Sequence, residues 1–166
     1  MAAHPHLDGI RVVAFDCDGV MFDTEAANRA FYNDILAHLG KPPMTDEQFA
    51  YAQMHTADLA IAHLFPEADE YAEAQVFRRK RGYGPYTRYM RMEPALIDLL
   101  QWCRPRFKTA VATNRSDTMN RVLKEHGIAG YFDLVVTAFD VERPKPHPDQ
   151  LQRIAAHFDV APREIL

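Results

Sequence analysis

The sequence predicts an α/β fold: a parallel sheet with crossover helices, interrupted after its first strand by an all-α helical cap. Three observations lead there. Ile10 to Asp16 (IRVVAFD) is a short apolar, β-branched run that ends near Gly19, as a buried strand does. From Pro94 onward, helical and strand-like segments alternate, which in a single sheet means parallel strands joined by crossovers. Between these regions the apolar residues recur only at helical spacing. The core is therefore expected to comprise residues 1–23 and 92–166, with the helical cap at 24–91. Placed directly after the first strand, such an insert is expected to hang over the strand ends as a lid.

The elements follow in order. Ala27, Ala30, Phe31, Ile35, Leu36 and Leu39 line one face of a first cap helix that Gly40 stops. Thr45-Asp46-Glu47-Gln48 is a capping box opening a second helix. Thr56 caps a third, ended by Pro66, and a fourth starts at about Glu67 with Tyr71, Ala74 and Phe77 turned inward. Pro94 begins a core helix with Leu96, Ile97, Leu99 and Leu100 on its apolar side, and Trp102 joins the core. Phe107 to Thr113 (FKTAVAT) is a second strand. Ser116 caps a helix running to about His126, with Gly127 at its end. Leu134 to Thr137 is a third strand, and Pro148 to Phe158 a last helix.

Composition narrows the function. Apolar residues make up 48% and charged residues 25%, the balance of a globular domain and not of a disordered chain. A net charge of -4 offers nothing to nucleic acid or to a membrane surface. The N-terminus lacks a basic leader and an apolar core segment, so a cytoplasmic location is expected. Two cysteines, Cys17 and Cys103, do not make a disulfide framework. Oligomeric state is not legible from the sequence.

The chemistry-bearing residues collect at strand ends, where ligands of parallel sheets bind. The first strand delivers Asp16 and Asp18, the second Thr113 and Asn114, and the loop after the third delivers Lys145 in ERPKPHPD. Together they suit a phosphoryl group. A carboxylate can attack phosphorus, and a second acid can protonate the leaving oxygen and then activate water. A hydroxyl can hold phosphoryl oxygens while a lysine offsets their charge. Two carboxylates beside phosphate also suit Mg²⁺, which keeps several waters and takes few protein ligands.

DCDGVMFDTE, VATN and RPKPHPD resemble the first three motifs of the haloacid dehalogenase-like hydrolase superfamily, in the branch with a helical cap on a Rossmann-like core. The likeness covers nearly the whole chain, and phosphoglycolate phosphatases and β-phosphoglucomutases belong to that branch. The resemblance implies that Asp16 is the nucleophile and Asp18 the general acid/base. It also implies that Asp16 binds Mg²⁺ together with the Asp18 backbone carbonyl, that Thr113 and Asn114 hold phosphoryl oxygens, and that Lys145 steadies nucleophile and phosphate. The dehalogenases lack the second aspartate, so Asp18 points to phosphate chemistry. The expected activity is that of a Mg²⁺-dependent phosphatase acting on a small phosphorylated metabolite through an aspartyl phosphate. The alternatives are a sugar-phosphate mutase of the same superfamily and a non-catalytic binding protein on the same fold.

The resemblance also implies a fourth motif on a strand beside the first, completing the Mg²⁺ site. Its place begins at about Ile165, where the sequence stops at Leu166, and further residues are expected beyond that point. Other features are read as structural. Arg78 to Gly82 (RRKRG) is a solvated helix face, Asp140 and Glu142 are solvated loop acids, and His147 caps a helix or meets substrate. Cys17 is expected to be a buried structural thiol turned away from the two acids.

Overall fold

The computed structural model describes residues 7–115 and 118–166. The chain divides into two units, Met1–Asp23 with Arg91–Leu166, and Thr24–Met90. In chain order the elements are β1 (Val12–Phe15), β2 (Phe22–Asp23), α1 (Glu25–His38), α2 (Asp46–Met54), α3 (Ala57–Leu64) and α4 (Ala68–Arg81). Then come β3 (Arg91–Met92), α5 (Leu96–Cys103), β4 (Lys108–Ala112), α6 (Met119–Glu125), β5 (Leu134–Val136) and α7 (Asp149–Phe158).

The first unit is built on a parallel sheet of order β1-β4-β5. Phe15 lies opposite Val111, and Ala112 opposite Val136, so the three strands end close to one level. Both ends of β1 and four of the five residues of β4 are buried, as expected of a sheet covered by crossover helices. Val12, Ala110, Ala112, Val136 and Ile154 form its core, against which Phe158, Val160 and Ile165 pack. On the free edge of β1, Ile165 makes a parallel bridge to Val12, and Leu166 donates to the Val12 carbonyl at 3.0 Å. Ile165 and Leu166 thus pair with the edge of the first strand. The two-residue strands β2 and β3 pair antiparallel, a ribbon too short to leave a periodic trace in the sequence.

One expectation about packing is corrected. Leu99 is 45% exposed and Trp102 is half-buried, whereas Leu96, Leu100 and Cys103 are buried. Spacings of four and three residues hold those three on one stripe of α5, and Leu99 falls on its flank. The cap of α6 expected at Ser116 lies outside the described residues; the helix ends at Glu125, and Gly127 just beyond takes a φ of 69° that no β-carbon favours.

The second unit is helical. Thr45 and Gln48 form a reciprocal capping box on α2, and the Thr56 hydroxyl accepts from the Leu59 N–H of α3 at 3.4 Å. In α4, Ala74 and Gln75 are buried while Tyr71 and Phe77 are only partly so. Gln75 was not expected inward; its amide donates to Asp58 and to the Tyr71 hydroxyl. Part of the basic run is engaged as well: Arg78 pairs with Asp58 at 3.0 Å and Arg81 with Asp34 at 2.9 Å. Among the described residues no helix is long and apolar enough to cross a membrane.

Candidate active site

Asp16 leaves the end of β1, and its Oδ1 accepts from the Cys17 N–H at 2.7 Å and from Lys145 Nζ at 2.9 Å. The chain then turns sharply: the Cys17 carbonyl accepts from Met21 and Phe22, each at 3.0 Å, and Gly19 takes φ 75°. This turn separates the two acids. Asp18 Oδ1 meets the Arg115 guanidinium at 2.5 Å, and does not share the Lys145 ammonium. Cys17 is fully buried, and its thiol is pushed up to about 12, first by burial and then by the nearby Asp18 charge. It is inert at neutral pH.

The end of β4 supplies the other wall. Thr113 is 1% exposed; its N–H donates to Val136, and its hydroxyl oxygen accepts from the Arg115 N–H at 3.1 Å. The hydroxyl proton remains for donation among the described residues. Asn114 clasps the Lys145 backbone with both ends of its amide. Nδ2 donates to the Lys145 carbonyl and Oδ1 accepts from the Lys145 N–H, each at 2.9 Å. That clasp fixes the loop, a use of Asn114 that the sequence reading did not include.

Lys145 Nζ donates to the Ala112 carbonyl at 3.0 Å in addition to its bond with Asp16. Its loop is pinned from both sides, since Arg143 grips Asp149 at 3.1 and 2.9 Å. Asp140 is not a free loop acid. Its carboxylate accepts from the Thr137 N–H at 2.8 Å and hydroxyl at 2.7 Å, bonds that hold it below the usual carboxylate range. Glu142 is exposed, and no capping bond from His147 is formed at α7, whose first flanking residue is Pro148.

Arg115 and Gln150 were missed in the sequence. The Arg115 side chain is only 6% exposed and touches Asp18 and the Thr118 hydroxyl. Gln150 is fully buried and donates to the Thr113 carbonyl at 2.9 Å. Their signal was adjacency alone: each directly follows a singled-out motif.

Among the described residues no group of three or more Asp, Glu, His or Cys side chains could hold a metal. What the strand end offers is the Asp16 carboxylate, with one oxygen engaged by Lys145, and the backbone carbonyl of Asp18. Two hard oxygens leave most of a coordination sphere to water and substrate. That fits Mg²⁺ better than an ion needing a closed protein cage.

The chain belongs to the haloacid dehalogenase-like hydrolase family, whose pattern matches residues 13–166. It is 28% identical over 155 residues to the fructose-1-phosphate phosphatase YqaB of Escherichia coli, covering 90% of this chain and 81% of that protein. It is 26% identical over 171 residues to a phosphoglycolate phosphatase of Vibrio vulnificus, covering 95% and 74%. Among solved structures it superposes on a HAD-superfamily hydrolase, subfamily IA, from Geobacter sulfurreducens. There the TM-score is 0.78 at 36% identity, over 95% of this chain and 76% of that one.

Proposed function

We propose that this hydrolase is a phosphatase that removes the phosphoryl group from a small phosphorylated metabolite through an aspartyl phosphate on Asp16. The observation that carries the reading is the Asp16–Lys145 contact of 2.9 Å at the end of β1, with a second carboxylate two residues on. The phosphatase names of the relatives support it. Asp16 Oδ2 has no hydrogen bond to a described residue, which leaves it for attack, while Oδ1 is oriented by Lys145 and the Cys17 N–H.

In this reading an Asp16 oxygen forms a bond to phosphorus as the ester P–O bond breaks, and Asp18 gives its proton to the departing alcohol. Asp18, now a carboxylate, takes a proton from water, whose oxygen attacks the aspartyl phosphate. Inorganic phosphate leaves and both carboxyl groups return to their starting forms. Lys145 and the Thr113 hydroxyl meet the negative charge on the equatorial oxygens. Asn114 serves chiefly by holding Lys145 in place. The Asp16 carboxylate and the Asp18 backbone carbonyl would hold Mg²⁺, which when bound offsets the charge of phosphate and carboxylate.

The test is turnover of p-nitrophenyl phosphate with and without Mg²⁺, for the wild-type chain and for Asp16→Asn. The reading expects turnover that requires Mg²⁺ and is abolished by the substitution. Turnover retained by Asp16→Asn would overturn it.

A further inference from the structure

Three consecutive residues at the end of β4 each hold the segment that carries Lys145. The Ala112 carbonyl accepts from Lys145 Nζ at 3.0 Å, and the Thr113 carbonyl accepts from Gln150 Nε2 at 2.9 Å. The Asn114 amide closes a two-bond clasp on the Lys145 backbone. Gln150 is the deepest member of this set, 0% exposed in the first turn of α7. Its Oε1 is buried and has no hydrogen-bond partner among the described residues.

That unmet oxygen makes glutamine a poor choice for packing alone. An apolar side chain of equal length would fill the same space without desolvating an amide. What the amide supplies is a donor for Thr113, one peptide along from the carbonyl that Lys145 already touches. An ammonium has three hydrogens, and Lys145 divides them between Asp16 Oδ1 and the Ala112 carbonyl. Without Gln150, the Thr113 carbonyl becomes a buried acceptor in need of a donor. The start of α7, four residues beyond Lys145, would also lose its tie to the strand.

We infer that Gln150 is a positioning residue: by occupying the Thr113 carbonyl and tying α7 to β4, it keeps the Lys145 ammonium on Asp16. The inference deepens the proposed function, resting on the reading in which Asp16 is the nucleophile. Gln150 meets no reacting atom itself and acts through Lys145.

Two measurements test it, one of them independent of activity. The first is a cycle of wild type, Gln150→Met, Lys145→Ala and the double variant on p-nitrophenyl phosphate. Gln150→Met lowers kcat roughly ten- to a hundredfold, the scale of a misplaced catalytic group, and adds no further loss to Lys145→Ala. An unchanged kcat, or the same fold loss in both backgrounds, overturns the inference. The second is a pair of crystal structures, wild type and Gln150→Met. The inference expects the Lys145 Nζ to Asp16 Oδ1 separation to open from 2.9 Å to beyond hydrogen-bond range. An unchanged separation overturns it, even if the wild-type protein hydrolyses no phosphate ester and the phosphatase reading has failed by itself. Should Gln150→Met not fold, Gln150→Asn withdraws the donor from Thr113 while keeping an amide, and the same two results decide.

Discussion

Lys145 sets its ammonium 2.9 Å from the Asp16 carboxylate and 3.0 Å from the Ala112 carbonyl, so one cation bridges the ends of neighbouring strands β1 and β4. Neither partner is deeply buried, with side-chain exposures of 33% and 42%. A half-exposed ion pair contributes little to stability, so its placement is better explained by chemistry than by folding.

Lys145→Met is therefore expected to separate the two. Turnover should fall about a hundred- to a thousandfold, as when a preorganised electrostatic partner is removed. The unfolding free energy should change by less than about 1 kcal/mol. Steady-state kinetics and equilibrium unfolding on the same preparation check both.

Asp18→Asn should discriminate between substrates by leaving group. An alkyl phosphate needs its oxygen protonated and should lose about a hundred- to ten-thousandfold in rate. p-Nitrophenolate leaves without that help, so its release from the ester should suffer far less. Burst kinetics, reading the first turnover of each ester, measure the difference.

Ile154→Ala should cost about 2–5 kcal/mol, because deleting a buried aliphatic side chain leaves a cavity. Ile154 is 0% exposed on α7 and packs in the same cluster as Val12 and Val136. Urea unfolding of the variant measures this.

Two carboxylates make stability sensitive to acid. Bonds from the Tyr86 hydroxyl, and then from Arg81, hold Asp34 below its ordinary 3.8. The Thr137 hydroxyl and N–H do the same for Asp140. Each group binds its proton more readily in the unfolded chain. Their stabilisation is complete above 3.8 and is lost as pH falls through the lower folded-state values. Urea midpoints across this range should drop with acid, and Asp140→Asn should flatten part of that slope.

The first strand, the caps at Thr45 and Thr56, and the strand-end acids were legible because their signals are local. Apolar runs, capping residues and short motifs are read within a few neighbours. What escaped was made by folding. Arg115 meets Asp18 across 97 residues, and Gln150 meets Thr113 across 37; nothing in either neighbourhood marks its partner. The amide clasp of Asn114 on Lys145 spans 31 residues and was hidden for the same reason. Leu99 was misplaced because four apolar residues in a short helix exceed the width of its buried stripe. Strands β2 and β3 have two residues each, too few for any period to show.

The most direct test of the central claim is borohydride trapping of the enzyme during turnover of p-nitrophenyl phosphate with Mg²⁺. Reduction converts an acyl phosphate to an alcohol, and peptide mass mapping then locates the altered residue. The account predicts a substrate-dependent conversion of Asp16 to homoserine, absent in Asp16→Asn. Active enzyme that shows no reduced residue, or one reduced at Asp18 instead, would contradict it.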